Sequence, residues 1–125
     1  MPRIDAVAVF AHDLAATMRF YEALGFTFPA IDEATEHVEA EGPGPRLMID
    51  SASLIERLIG EPPRAGNASA FALLCDSPAE VDSIAAALAA AGHPFVAAPF
   101  DAPWGQRYAT VEDPSGHRID LFAPL

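Results

Sequence analysis

The chain of 125 residues contains no lysine and a single cysteine. Without lysine it cannot form a Schiff base, and it lacks the lysine that a phosphate-binding P-loop requires. One cysteine cannot build a disulfide framework or a cysteine-rich zinc site within the chain, so we expect a reducing compartment. Because Cys75 ends an apolar run, we expect a buried, inert thiol and not a nucleophile.

Positive charge is also scarce. The chain contains seven arginines and eighteen acidic residues. The resulting net charge of -11 argues against nucleic acid or an anionic membrane surface as a partner. We find neither a signal-peptide pattern nor an apolar segment long enough to span a bilayer. We therefore expect a cytoplasmic protein, whose ligand is an amphipathic or cationic small molecule.

The first half of the chain shows a strand–helix–strand pattern. Residues 4–11 predict a strand, and Asp13 is the predicted N-cap of a helix that stops at Gly25. Residues 26–28 then begin the next strand. Arg46–Asp50 predicts the last strand of this half.

The second half repeats this order. A strand at residues 70–74 precedes a capping box, Ser77 to Glu80, whose helix stops at Gly92. The residues Asp113-Pro114-Ser115-Gly116 predict a type I turn before a final strand. Each half is therefore predicted to be strand–helix–strand–strand–strand.

A connector of about residues 51–66 separates the two halves. Ser53 is its predicted helix cap, and that short helix ends at Gly60. We predict one domain over residues 1–125, with module one at 1–60 and module two at 67–125.

Two motifs carry a family resemblance. They are Asp13-Leu14 followed by Arg19-Phe20-Tyr21-Glu22-Ala23-Leu24-Gly25-Phe26, and Trp104-Gly105 with Asp113-Pro114-Ser115-Gly116-His117-Arg118-Ile119-Asp120. In these the chain resembles the vicinal oxygen chelate superfamily of glyoxalase I, bleomycin resistance proteins and extradiol dioxygenases. The resemblance implies an α+β fold, in which two βαβββ modules form curled mixed sheets with helices outside. It also implies a homodimer.

Metal enzymes of that superfamily commonly place ligands at one position on the first strand and one on the last strand of each half. In this chain, the resemblance implies that the first-strand positions are Ala6 and Ala70, and that the last-strand positions are Asp50 and Asp120. A transition metal needs about three protein ligands, and methyl groups supply none. We therefore expect no cofactor and disfavour a divalent metal, for which Asp50 and Asp120 are the remaining candidates. None of the four histidines falls on a ligand position.

Strand alternation from these positions predicts a small-molecule pocket with a floor of small residues. Its predicted lining is Ala6, Ala8, Met48, Asp50, Ala70, Ala72, Trp104, Arg107, Arg118, Asp120 and Phe122. Three structural alternatives stay open. Asp120 could pair with Arg118, Arg107 could pair with Asp101 or Glu112, and Trp104 could serve in packing.

Two functions from different classes follow. The first is a metal-free binding protein similar to bleomycin resistance proteins, which sequesters a small molecule and so confers drug resistance. The alternative is a lyase, isomerase or dioxygenase with an atypical metal site or none. There Asp120 or Asp50 would be the general base, with a pKa raised by desolvation. A pure protein–protein interaction module has the least support.

Overall fold

The computed structural model describes residues 1, 4–66 and 71–125. They divide into two units, Met1–Arg64 and Ala65–Leu125, and each unit holds one mixed sheet with helices packed on it. The chain thus has the predicted α+β class. Whether the two units form one domain stays a prediction. Among the described residues, no helix has the length and apolarity needed to cross a membrane.

The first unit contains three strands and two helices. In chain order these are β1 (Ala6–Ala11), α1 (Leu14–Ala23), β2 (His37–Glu39), β3 (Arg46–Ser51) and α2 (Ala52–Ile59). The sheet order is β1-β3-β2, with β1 parallel and β2 antiparallel to the central strand β3.

Helix α1 begins where the sequence predicts. The Asp13 carboxylate accepts a hydrogen bond from the Ala16 N–H at 3.0 Å, which satisfies a donor that the first turn leaves unpaired. Gly25, with φ +105°, follows the helix as predicted. The helix packs on β3, and Tyr21, Phe20 and Ile49 are fully buried in this core.

Two predicted elements of the first unit differ in the structure. The strand expected from residues 26–28 is reduced to one bridge, between Thr27 and Glu41, because Pro29 has no N–H with which to continue a ladder. The N-cap of α2 is Ser51 and not Ser53, since the helix starts directly after β3 and the Ser51 hydroxyl accepts from the Leu54 N–H at 3.2 Å.

The second unit has the predicted βαβββ order. Its elements are β4 (Phe71–Leu74), α3 (Pro78–Ala90), β5 (Phe95–Ala102), β6 (Gln106–Glu112) and β7 (Arg118–Pro124). The sheet order is β4-β7-β6-β5, with β4 parallel to β7 and the other pairs antiparallel.

Local signals position this second sheet. The Ser77 hydroxyl caps α3 by accepting from the Glu80 N–H at 3.1 Å, with Pro78 in the first turn. The Asp113 carboxylate accepts from the Ser115 and His117 N–H groups, both at 2.9 Å, and fixes the predicted turn between β6 and β7. That turn sets the register of the two strands.

Alternation along β7 separates two faces of the second sheet. Ile119, Leu121 and Ala123 are buried on the face that α3 covers. Arg118, Asp120 and Phe122 lie on the opposite face and are only partly buried. This opposite face carries the candidate site.

Candidate functional site

The sheet register gathers one set of side chains on the face of the second unit opposite α3. Residues in register on neighbouring strands point to the same side of a sheet. Asp120 is in register with Thr110 on β6 and with Ala72 on β4, while Tyr108 is in register with Phe122 and with Phe100. We call this set of six residues the Asp120 face.

Two hydroxyl groups hold the carboxylate of Asp120. The Tyr108 hydroxyl donates to one oxygen, and the Thr110 hydroxyl donates to the other at 2.7 Å. Within the described part of the chain, Asp120 has no cationic partner. The expected alternative, a pair with Arg118, is not formed, because the Arg118 Nε lies 3.8 Å from Glu112 Oε1.

Burial, and then the hydrogen bond to Asp120, raise the pKa of Tyr108 to about 12. The phenol therefore stays protonated and remains a hydrogen-bond donor at neutral pH. Each carboxylate oxygen has two lone pairs, so the Asp120 oxygens can each accept one further donor.

Aromatic rings surround Tyr108. Its ring centroid lies 5.4 Å from that of Trp104, 6.2 Å from Phe100 and 6.5 Å from Phe122. Trp104 is 60% exposed and Phe100 is 38% exposed. The Trp104 indole N–H donates to Gln106 Oε1 at 2.8 Å, which orients the ring. Clustered, exposed rings next to a carboxylate are typical of a binding surface.

Arg107 does not belong to this site, which corrects its predicted place in the pocket lining. Side chains alternate along β6, so Arg107 shares the face of the buried Ala109 and Val111. Its guanidinium lies 2.9 Å from Asp82 on α3 and 3.1 Å from Asp101. The expected alternative of an ion pair with Asp101 is the arrangement that the structure shows.

The first unit carries its own group of predicted residues. Ala6 is in register with Arg46, and Ala8 with Met48, so both alanines share a sheet face with Met48 and Asp50. Ala8 is exposed and Asp50 is partly buried. Ala70 lies outside the described residues.

His37 is the residue of this face that the sequence analysis missed. Its Nδ1 lies 2.5 Å from Asp50 Oδ1 and its Nε2 lies 2.8 Å from Glu39 Oε2. The hydrogen bond to Asp50, followed by that to Glu39, raises the pKa of His37. The alternation of His37 and Glu39 on β2 was the available signal, but Asp50 is identified as a partner only by strand register.

The residues present do not fit the metal centre that the family's enzymes carry. Across residues 4–66 and 71–125, no group of three or more His, Cys, Asp or Glu side chains is placed to hold an ion. Of the four ligand positions that the resemblance implies, Ala6 and Ala70 carry methyl groups, and only Asp50 and Asp120 carry carboxylates. The donor set is thus short of the three protein ligands typical of such sites.

Comparison with known proteins agrees with this architecture. A family model described as Glyoxalase/Bleomycin resistance protein/Dioxygenase superfamily matches residues 3–121. A solved glyoxalase/bleomycin resistance protein/dioxygenase from Nocardioides is 31% identical, with a TM-score of 0.75, over 100% of this chain and 85% of that one. The chain belongs to this superfamily.

More distant structures share the fold. A glyoxalase-related enzyme from Fulvimarina pelagi is 23% identical over 98% of this chain and 88% of its own, with a TM-score of 0.84. A lactoylglutathione lyase from Agrobacterium tumefaciens is 20% identical over 97% of this chain and 92% of its own, with a TM-score of 0.71. The curated proteins contain no match. Because a fold hosts unrelated functions, the activity must be argued from the site.

Proposed function

We propose that this protein binds a small amphipathic molecule without the help of a metal ion, and that the Asp120 face is the binding surface. One observation carries the proposal. A carboxylate held by two hydroxyls, with no cationic partner in the described residues, is linked through Tyr108 to the exposed rings of Trp104 and Phe100. A few placed polar groups among apolar walls are the usual composition of a small-molecule site.

Small neighbours leave room for a ligand on this face. Ala72 is the β4 residue in register with Asp120, and it is exposed and has a short side chain. On the other side of Asp120, Thr110 is also short and turns its hydroxyl toward the carboxylate. A ligand can therefore reach the carboxylate from solvent.

The metal-independent part of the proposal rests on the donor atoms. Ala6 and Ala70 supply methyl groups at two of the four ligand positions that the family resemblance implies, and only Asp50 and Asp120 supply oxygen donors. The proposal extends to a cytoplasmic homodimer that sequesters a toxic compound such as an antibiotic. The homodimer is supported by the family and the location by the lone cysteine.

An enzyme of this superfamily is the second candidate. The observation that favours it is the hydrogen bond between the Tyr108 hydroxyl and Asp120, since a hydroxyl donor beside a carboxylate is an arrangement suited to proton transfer. In that case Asp120→Asn would abolish turnover while binding persists.

A ligand screen with and without chelator tests the proposal. Amphipathic compounds are screened by thermal shift, and each compound that raises Tm is then titrated by calorimetry with EDTA and with added Zn²⁺, Ni²⁺, Mn²⁺ or Fe²⁺. We expect the same Kd in every condition. Binding that EDTA abolishes and one of these ions restores would contradict the proposal.

A further inference from the structure

We infer that the ligand of the Asp120 face is an organic cation, a protonated tertiary amine attached to a flat apolar body. This inference rests on the proposed function and narrows it from any amphipathic molecule to one charge type. The ammonium N–H binds Asp120, and the apolar body lies on the rings of Trp104, Phe100 and Phe122.

The charge balance of the face supports a cation. In the described residues, the Asp120 carboxylate meets hydroxyl groups and no positive charge. The nearest cationic side chain along β7, Arg118, has its Nε 3.8 Å from the Glu112 carboxylate. The attraction between a bound cation and a partly buried anion without a counter-ion is stronger than that between a cation and a solvated anion, because the dielectric constant is lower in the partly buried site.

The ring geometry supports the same class. The planes of Trp104 and Tyr108 meet at 81°, and those of Trp104 and Phe100 meet at 89°. Both pairs are edge-to-face contacts, and Trp104 and Phe100 remain 60% and 38% exposed, so part of this aromatic surface is open to the carbons on an ammonium nitrogen. A cation within about 6 Å of an aromatic ring face is attracted by the ring quadrupole, most strongly by that of Trp.

The free lone pairs of the Asp120 carboxylate favour a ligand whose head group carries an N–H donor. Each Asp120 oxygen accepts one hydroxyl hydrogen bond and keeps a second lone pair. The single N–H donor of a tertiary ammonium occupies one of these two free positions, while its alkyl groups contact the rings. A carboxylate or phosphate ligand would be repelled by Asp120 and by the net charge of -11.

Four matched compounds test the inference, because they share a phenethyl body and differ in the head group. N,N-dimethyl-2-phenylethylamine is the cationic donor, and trimethyl(2-phenylethyl)ammonium is a cation without an N–H. The neutral compound is 2-phenylethanol and the anion is 3-phenylpropionate. Calorimetry with EDTA present measures each Kd, and fluorescence reports contact, since Trp104 is the chain's single tryptophan.

We expect the dimethylamine to bind about tenfold or more tighter than the alcohol, as a charge-assisted hydrogen bond implies. The affinity of the trimethylammonium compound should lie between those of the dimethylamine and the alcohol, and 3-phenylpropionate should have the lowest affinity of the four. Quenching or a shift of the Trp104 emission accompanies binding of both cations.

Variants locate the effect. Asp120→Asn should reduce the affinity for the dimethylamine to that for the alcohol, while Tm shows whether the fold persists. Asp101→Asn is the matched control, because it removes the same charge from the opposite face and should keep wild-type affinity. If Asp120→Asn unfolds, Trp104→Leu tests the site instead. That side chain is exposed, and its loss should weaken cation binding more than alcohol binding.

Equal affinity for the four head groups, or preference for the carboxylate, would overturn the inference. So would equal losses in Asp120→Asn and Asp101→Asn, since attraction by net charge would then explain the data. A neutral compound from the screen that binds independently of metal leaves the proposed function standing and contradicts this inference. A requirement for metal contradicts the proposed function itself.

Discussion

Arg107 and Tyr108 are neighbours in the chain, yet they lie on opposite faces of the second sheet. Tyr108 donates to Asp120, whereas Arg107 forms ion pairs with Asp82 and Asp101. Residue type alone placed Arg107 in the predicted pocket and left Tyr108 out. Which of two adjacent residues faces a ligand depends on the phase of strand alternation, and the buried Ala109 fixes that phase only once the fold is known.

Thr17 tests the energetic cost of burying a hydroxyl group without a hydrogen-bond partner. Among the buried side-chain polar atoms of the described residues, its Oγ1 is the one without a hydrogen-bond partner. Thr17→Val replaces the hydroxyl by a methyl of similar shape, and should raise the free energy of unfolding by about 1 kcal/mol. Urea denaturation measures the change.

Thr110→Val is the matched control for that change, since the Thr110 hydroxyl is paired with Asp120. It should lower the free energy of unfolding. Stabilisation by both variants would show that hydrogen bonding of the hydroxyl does not decide the outcome.

Tyr108 predicts a stability change in alkaline solution. Its pKa is about 12 in the folded chain against an ordinary tyrosine pKa of 10.0, so the unfolded chain loses this proton first. The resulting stabilisation is fully present below about pH 10 and disappears as the pH rises through about 12. Unfolding measured over this range should show a steeper loss of stability for wild type than for Tyr108→Phe. Parallel curves would contradict the assigned cause.

Among the elements, the helices were the most predictable. The N-caps of α1 and α3 depend on side chains within three residues of the helix start, so Asp13 and Ser77 were identified from sequence. Ser51 and Ser53 are both suitable N-cap residues for α2. Ser51 is the cap because β3 ends at Ser51 and the helix begins at the next residue. The predicted order of the first half included a strand between residues 28 and 46 but gave it no bounds, because a strand as short as the three-residue β2 is specified by its partner β3.

The α3 cap gives a direct test of this local control. Ser77→Ala removes the acceptor for the Glu80 N–H and should cost about 1 kcal/mol of unfolding free energy. Ser83→Ala is the control on the same helix, since Ser83 is exposed and its hydroxyl only donates to the Glu80 carbonyl. Equal losses in the two variants would mean that the cap does not hold the start of α3.

His37 makes the attachment of β2 to β3 depend on pH. Hydrogen bonds to Asp50 and then to Glu39 raise its pKa in the folded chain above the ordinary histidine value of 6.5. The stabilisation is therefore complete below pH 6.5 and is lost as the pH rises through the higher folded value. Its size is modest, because the His37 side chain is 42% exposed.

His37→Gln tests this by removing the titrating group. Wild type should lose stability relative to the variant as the pH rises above 6.5, because the raised imidazole pKa lies above that value. NMR titration of the imidazole gives the pKa directly. A value at or below 6.5 would contradict the role of the Asp50 contact.

At the scale of the whole molecule, the sequence predicted the repeat and the family better than the site. Both units begin with a strand and a capped helix, and the second has the full βαβββ order. The first falls short because Pro29 interrupts the strand expected at residues 26–28. Asp120 was identified from the family motif, but its partners Tyr108 and Thr110 come from β6 and depend on the register between β6 and β7.

The central claim is that Asp120 receives an organic ligand at the position where the resemblance to the superfamily's metal enzymes implies a metal ligand. The most direct measurement is a crystal structure of the protein grown with N,N-dimethyl-2-phenylethylamine and an equimolar amount of Zn²⁺. We expect the amine nitrogen within hydrogen-bonding distance of Asp120, the phenyl ring against Trp104, and no zinc on that carboxylate. Zinc bound to Asp120, with the amine absent or elsewhere, would contradict the account.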